Sequence, residues 1–274
     1  MSEMKYESMP GGGQIPVLGL GTWGMGGGTS PNYSRDEETI RAIRTAIDMG
    51  YTHIDTAEMY GRGHTEELVG RAIKDFERED LFIVTKIEPG NLHYQDVLDA
   101  MEGSLKRLDT GYVDLYLIHW PSHSIPLDET FTALNELVSS ERARRLGVSN
   151  FNLNQLRKAV TLSDTPLVTN QVPYSLFERR YVRSGVLEYC QENEIILTAY
   201  TPIEKGRVAR DEVVKEIAKR HTTTPIQVAL NWLIRQSKVI AIPMSTDPEH
   251  QRENLGALEV ELTAEEVGRL DRLS

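Results

Sequence analysis

Four residues of complementary chemistry, Asp55, Tyr60, Lys86 and His119, lie at or just beyond the ends of short apolar segments. An unperturbed tyrosine has a pKa of about 10 and is a poor acid at neutral pH. A nearby lysine cation is expected to lower that pKa, and an aspartate beside the lysine would keep it charged and oriented. A histidine can hydrogen-bond a carbonyl oxygen and polarise it. Together these groups would form a proton donor for an oxygen that gains negative charge, as in hydride addition to a carbonyl.

Each of these residues also has a purely structural interpretation. Lys86 can be a solvated lysine, His119 a packed histidine bonded to the backbone, and Asp55 a turn residue. Further polar residues end later apolar segments, namely Ser149, Asn150, Gln171, Tyr200 and Ser245. Because the segments themselves stay aliphatic while polar groups gather at their carboxyl ends, the whole set indicates a functional site.

Strand and helix patterns alternate along the chain and must position these side chains. Residues 6–17, turning through Gly11, Gly12 and Gly13, predict a small hairpin. Eight strand segments follow, at 17–20, 52–55, 81–86, 113–119, 145–149, 167–171, 195–200 and 239–242. Helical patterns lie between them at 35–49, 65–76, 94–108, 128–140, 152–161, 181–191, 211–220 and from Pro225. We predict helix caps at Ser34, Thr65, Asp128 and Thr224.

This alternation predicts a single domain over residues 1–274, an α/β protein of the (β/α)8 TIM barrel type with an N-terminal β-hairpin. An open doubly wound sheet is the alternative, and it would need a working glycine fingerprint for a dinucleotide. Residues 19–24 do read G-x-G-x-x-G, but they run into the glycine-rich segment 25–31 instead of opening a helix. We therefore interpret this match as chance.

Composition disfavours several classes of partner. The 274 residues carry 41 acidic and 30 basic side chains, a formal charge of −11, which disfavours nucleic acid and anionic membranes.

Cys190 cannot form an intrachain disulfide, so we expect it to pack in the core, with a reactive thiol as the minor alternative. No apolar run approaches the roughly 20 residues of a membrane span. The chain start lacks a signal peptide's apolar core. We predict a cytoplasmic monomer without a metal ion.

Several spaced motifs between Ile15 and about Asn254 resemble the aldo-keto reductase family. They are G-L-G-T-W at 19–23, D-T-A-E-M-Y-G at 55–61, T-K at 85–86, I-H-W-P at 118–121, G-V-S-N-F at 147–151, N-Q-V-P-Y at 170–174 and Y-T-P at 200–202. The resemblance implies a (β/α)8 fold and a catalytic tetrad of Asp55, Tyr60, Lys86 and His119. It makes Tyr60 the general acid and a nicotinamide cofactor the hydride donor. The implied reaction is NAD(P)H-dependent reduction of aldehydes or ketones to alcohols.

The resemblance also implies where ligands bind. The nicotinamide would be held by Ser149, Asn150 and Gln171, with Tyr200 stacked on its ring. The remaining expected cofactor contacts are Gly21, Thr22, Trp23, Asp55, Thr201, Pro202, Ile203, Met244, Ser245, His250, Glu253 and Asn254. The expected substrate-pocket residues are Trp23, Met25, Met59, Tyr60, His119 and Trp120, an apolar and open lining.

One segment departs from the family pattern. Many members that use NADPH carry a lysine and an arginine that grip the 2′-phosphate, and Met244 and His250 occupy those two positions here. Arg252, Lys205 or Arg207 could compensate. We expect NADP(H) as the cofactor, with NAD(H) as a second possibility.

Two other functions remain open at this point. One is a cofactor-sensing binding subunit on the same fold, because fold alone does not separate binding from catalysis. The other is a phosphate-binding barrel isomerase or aldolase with Lys86 as the Schiff-base nucleophile. The second leaves Tyr60 and Tyr200 without roles.

Overall fold

The computed structural model describes residues 3–273 and begins with the predicted hairpin. Strand β1 (Tyr6–Ser8) pairs antiparallel with β2 (Gln14–Pro16). Gly11, Gly12 and Gly13 in the connecting turn all have positive φ angles, of 77°, 100° and 84°. Such backbone conformations favour glycine, because a Cβ atom makes them strained. The hairpin prediction is therefore confirmed.

A parallel eight-stranded sheet follows, in which each strand pairs with the next along the chain. Its members are β3 (Leu20–Gly21), β4 (His53–Asp55), β5 (Phe82–Ile87), β6 (Leu115–Ile118), β7 (Leu146–Ser149), β8 (Thr169–Pro173), β9 (Ile196–Tyr200) and β10 (Val239–Ala241). The sheet closes where Leu18 pairs with Ala241 in parallel, and the Gly19 N–H donates to the Ala241 carbonyl at 2.9 Å. The prediction of a (β/α)8 barrel is confirmed.

Amphipathic helices surround the barrel. Within residues 3–273 they are α1 (Asp36–Asp48), α2 (His64–Ile73), α3 (Tyr94–Leu108), α4 (Leu127–Ser139), α5 (Leu153–Leu162), α6 (Arg180–Arg183), α7 (Val186–Glu192), α8 (Glu212–Arg220), α9 (Pro225–Ile234), α10 (Pro248–Leu255) and α11 (Ala264–Leu270). The helix predicted at 181–191 is split into α6 and α7, because Gly185 takes a left-handed φ of 82° between them. Across the described part of the chain, no helix combines the length and apolar character needed to cross a membrane.

Helix starts show the limit of cap prediction. Thr224 caps α9 as predicted, and its side chain accepts the N–H of Gln227. The predictions for Ser34, Thr65 and Asp128 are wrong, since Arg35, Gly63 and Pro126 occupy the cap positions. Asp128 instead lies in the first turn of α4, where a carboxylate interacts favourably with the helix dipole.

The glycine motif at 19–24 serves packing in the barrel. A Cβ at residue 19 would lie 2.5 Å from Nδ1 of the buried His53, and one at residue 21 would lie 2.8 Å from the Ile242 carbonyl oxygen. No helix begins after the motif until Asp36. Only glycine fits at these two positions. The match to a dinucleotide fingerprint therefore arises from close packing within the barrel and not from a Rossmann-type nucleotide site.

Cys190 lies on α7 and is fully buried. Burial raises the pKa of its thiol to about 12. Since the thiolate is the reactive form, this cysteine acts as a small apolar core residue.

Candidate active site

A buried ion pair forms the floor of the site. Asp55 ends β4 and Lys86 lies on the neighbouring β5, and both side chains are buried. The Lys86 ammonium Nζ donates to Asp55 Oδ1 at 2.6 Å and to the Thr56 carbonyl at 2.8 Å. The same nitrogen lies 3.4 Å from the Tyr60 hydroxyl oxygen. Three of the four predicted catalytic side chains therefore meet within hydrogen-bonding reach.

The charge states of this group follow from burial and from the partners. Burial disfavours the Lys86 ammonium, but Asp55 and Tyr60 outweigh it, so the pKa of Lys86 is raised. A lysine held protonated in this way is a poor Schiff-base nucleophile, which counts against the aldolase alternative.

Tyr60 departs from the sequence prediction for its pKa. Burial raises the pKa of Tyr60, and although Lys86 lowers it, the net shift is upward. The expectation of a lowered pKa is wrong, because the lysine's attraction is smaller than the cost of burying a phenolate. Tyr60 is therefore a neutral phenol at neutral pH, which is the form that donates a proton.

His119 follows β6 and approaches the same point. Its ring centroid lies 5.6 Å from that of Tyr60. Burial, and to a lesser extent Lys86, lower the pKa of His119 to about 3. The imidazole is therefore neutral at physiological pH. It can hydrogen-bond and orient a carbonyl oxygen, but it is not a proton source.

Three of these four side chains, those of Asp55, Tyr60 and His119, line a cavity of about 370 Å³. Two half-exposed indoles, of Trp23 and Trp120, form part of its wall, and Trp23 packs edge-on against Tyr60 with ring centroids 4.9 Å apart. The lining residues are Gly21, Thr22, Trp23, Asp55, Met59, Tyr60, His119, Trp120, Asn150, Gln171, Tyr200, Thr201, Pro202, Ile203, Lys205, Ile242 and Met244.

Some predicted site residues lie elsewhere. Met25 is buried in the hydrophobic core and does not line the cavity, so its predicted place in the pocket wall is wrong. The chain turns at Gly24, whose φ is 87°, and the Met25 N–H donates to the Thr22 carbonyl at 3.1 Å. Ser149 lies behind the cavity wall, where its hydroxyl donates to the Gln171 carbonyl at 2.8 Å.

The other residues outside the cavity lining lie at or near α10. Ser245 precedes this helix and accepts the Asp247 N–H. His250 and Glu253 lie on its surface, whereas Asn254 is buried.

Hydrogen bonds join side chains of the cavity wall to one another and to the ion pair. The Tyr200 hydroxyl donates to Asn150 Oδ1 at 2.8 Å, and the Asn150 amide donates to the His119 carbonyl at 3.0 Å. The Gln171 amide donates to Asp55 Oδ2 at 2.8 Å, across 116 positions of sequence. Asp55 is thus held by Lys86 on one oxygen and by Gln171 on the other.

Sequence reasoning missed two contributors to the site. Ile242 lines the cavity just beyond β10, and its place at the end of the predicted strand 239–242 was the available signal. The Thr56 carbonyl accepts from Lys86, and no sequence pattern marks a backbone acceptor.

A barrel whose rim carries a buried lysine–aspartate pair beside a tyrosine and a neutral histidine defines a carbonyl-reducing oxidoreductase by its geometry. The comparisons agree. The aldo/keto reductase family model matches residues 17–274. Methylglyoxal reductase YeaE of Escherichia coli K12 is 37% identical over 98% of this chain and 95% of its own length.

Solved structures give the same result. A thermostable aldo-keto reductase, Tm1743, in complex with the inhibitor epalrestat, has a TM-score of 0.97 at 51% identity, covering 99% of this chain and 100% of that one. An aldo/keto reductase of Klebsiella pneumoniae in complex with NADP and acetate has a TM-score of 0.89 at 36% identity, covering 99% and 95%. The chain belongs to the aldo/keto reductase family. It is an NAD(P)H-dependent oxidoreductase that reduces aldehydes or ketones.

Proposed function

We propose that the protein reduces small, reactive, uncharged aldehydes and ketones, α-dicarbonyls among them, with Tyr60 as the general acid. The observation that carries this proposal is the placement of the Tyr60 hydroxyl 3.4 Å from the Lys86 ammonium at the floor of an apolar cavity. The similarity to a methylglyoxal reductase supports the substrate class.

Each tetrad residue has a part in moving one proton. A bound carbonyl oxygen accepts a hydrogen bond from the neutral His119 imidazole and is placed beside the Tyr60 hydroxyl. The nicotinamide cofactor, when bound, supplies the hydride. Tyr60 gives its proton to the oxygen as negative charge develops there, and the Lys86 ammonium stabilises the phenolate that remains. Asp55 keeps Lys86 charged and fixes its direction.

The cavity has acceptors and an aromatic ring that suit a nicotinamide. Gln171 lines the cavity, and no residue from 3 to 273 donates a hydrogen bond to its Oε1. That oxygen is free to accept from a carboxamide N–H. Tyr200 places a ring in the same wall. We assign Ser149, Asn150, Gln171 and Tyr200 to the nicotinamide. The assigned residues along the remaining cofactor path are Gly21, Thr22, Trp23, Asp55, Thr201, Pro202, Ile203, Met244, Ser245, His250, Glu253 and Asn254.

The end of the proposed cofactor site that would hold the adenosine has few cations. Met244 is 46% exposed and carries no charge, and His250 lies 3.8 Å from the acidic Asp247. Arg207 stacks over the Phe177 ring at 4.4 Å, whereas Lys205 lines the cavity. Arg252 is exposed on α10, and no described residue pairs with it. Lys205 and Arg252 are thus the cations we assign to a 2′-phosphate, and we propose NADPH as the preferred cofactor by a modest margin over NADH.

The pocket and the assembly state complete the proposal. Trp23, Met59 and Trp120 give the cavity an apolar wall, which suits small uncharged carbonyl compounds. We further propose that the enzyme acts as a monomer, in the cytoplasm. Sedimentation velocity would show a single species near 31.0 kDa, and a dimer would refute the monomer.

Tyr60→Phe tests the assignment of the acid. Purified wild-type protein and variant are assayed with NADPH and with NADH against methylglyoxal and a panel of other carbonyls. The variant should lose roughly a hundredfold to ten-thousandfold in kcat, because the proton donor is gone while the ring remains. Its cofactor affinity, followed by quenching of protein fluorescence, should not change.

A matched control is Tyr174→Phe, which removes a hydroxyl bonded to Gln236 and outside the cavity lining. This control should retain the wild-type rate. Near-normal turnover by Tyr60→Phe would refute the role of Tyr60, and wild-type protein inactive on the whole panel would refute the substrate class.

A further inference from the structure

The turn that carries Tyr60 is fixed to the strand that carries Lys86. The Thr56 carbonyl accepts from Lys86 Nζ at 2.8 Å, and the Glu58 N–H donates to the Lys86 carbonyl at 3.2 Å. Lys86 therefore contacts this turn with both its backbone and its side chain. The spacing between the tyrosine hydroxyl and the ammonium depends on how firmly the turn is held.

Glu58 supplies the side-chain part of this attachment. Its Oε1 accepts the backbone N–H of Glu88 at 2.5 Å and the amide of Asn91 at 3.2 Å, both just beyond β5. The Thr56 hydroxyl has no partner among the described residues, and Met59 lines the cavity. Glu58 thus adds hydrogen bonds from the turn to the end of β5, two residues before Tyr60.

The surroundings of Glu58 disfavour a charged carboxylate at this position. The side chain is only 9% exposed, and two other carboxylates, of Glu66 on α2 and Glu88, face it. The buried hydroxyl of Tyr116 on β6 lies near Glu58 and has no hydrogen-bond partner among the described residues. Arg107 from α3 pairs with Glu66 at 2.6 Å rather than with Glu58. No cation among residues 3–273 pairs with Glu58.

We propose that Glu58 is a positioning residue for Tyr60, holding the turn that bears the proton donor against the end of the strand that bears Lys86. This inference rests on the proposed role of Tyr60. Glu58 acts through the turn and does not touch the cavity, so it affects the placement of the proton donor and not the binding of ligands.

A neutral acceptor suffices for this role. Burial and the neighbouring carboxylates raise the pKa of Glu58 to about 7, so near neutral pH a large part of it is protonated. The carbonyl oxygen of a protonated acid, or of an amide, can still accept the two N–H bonds. Glutamine at this position should therefore preserve the side-chain hydrogen bonds to the end of β5, whereas a leucine of similar size should remove them.

The test compares Glu58→Leu with Glu58→Gln, using methylglyoxal and NADPH well below the melting temperature. Glu58→Leu should lose about tenfold or more in kcat, because small displacements of a catalytic group carry large rate costs. Its NADPH affinity, measured by fluorescence, should stay at the wild-type value. Glu58→Gln should restore kcat to within about threefold of wild type, as expected if hydrogen-bond acceptance is the function.

Glu66→Gln is the matched control, since it alters another buried glutamate that contacts Thr85 and Arg107 instead of the turn. It should lower the melting temperature while kcat stays near wild type. Equal kcat for Glu58→Leu and wild type would overturn the proposal, and so would equal losses in kcat and in NADPH affinity. Tyr60→Phe, measured alongside, separates the outcomes: if it is inactive while Glu58→Leu is normal, the role of Tyr60 stands and that of Glu58 falls.

Discussion

Replacing Glu58 by glutamine should change how the stability of the protein depends on pH. Burial raises the pKa of this carboxyl from an ordinary value near 4.5 to about 7. The folded state therefore keeps a proton that the unfolded state has already released between those two pH values. The free energy of unfolding of the wild type must fall as pH rises through this window. Glutamine does not titrate, so the variant lacks this contribution.

The size of the effect follows from the shift. Each pKa unit corresponds to about 1.4 kcal/mol. Between pH 5 and pH 8 the free energy of unfolding of the wild type should therefore fall by about 2–3 kcal/mol relative to that of Glu58→Gln. Urea denaturation of both proteins at several pH values measures this difference, and other titrating groups cancel in the comparison. If the difference in unfolding free energy between the two proteins stays constant from pH 5 to pH 8, the pKa of Glu58 is not raised by burial and the reasoning is refuted.

Three further predictions concern the site itself. Lys86→Met should destabilise the fold by about 3–5 kcal/mol in thermal or urea unfolding, because it leaves the buried Asp55 carboxylate without its cation; a fully stable variant would contradict the burial of a charged pair. Met244→Lys should raise the ratio of kcat/KM for NADPH over NADH about tenfold or more, as a charged hydrogen bond is worth about 1.5–3 kcal/mol; an unchanged ratio would place residue 244 away from the phosphate. The imidazole NMR signal that disappears in His119→Asn should not shift from pH 8 to pH 5, since burial and Lys86 lower the pKa of His119 to about 3; titration near pH 6.5 would refute a neutral histidine in that environment.

The sequence predicted the barrel well because its signals are local. Each strand is a short apolar run and each helix has its own amphipathic pattern, so their alternation could be read without knowing any contact between them. The polar residues at strand ends could be grouped for the same reason, since all strands of a parallel barrel end on one rim. Asp55, Lys86 and His119 were placed together on this argument.

What the sequence did not predict depends on contacts between distant residues or on backbone direction. The net pKa shift of Tyr60 required weighing burial against one lysine, and burial is not visible in a motif. The Gln171–Asp55 hydrogen bond joins β8 to β4. Met25 was expected in the pocket wall, but it packs in the hydrophobic core just after a turn at Gly24.

The seam at which the barrel closes has a consequence for folding. Leu18 and Ala241 meet from opposite ends of the chain, and the strand on one side of the seam, β3, has only two residues. Contacts of such large sequence separation carry the loop-closure entropy of nearly the whole chain, so we expect them to form after the local strand–helix units have assembled. Late completion of the cylinder predicts that its amides at Gly19 and Ala241 gain protection last in a pulsed hydrogen-exchange experiment. On this order of events the interior that holds Lys86 and Asp55 stays open along one side until closure, so we expect this buried ion pair to lose its solvent only in the final step of folding.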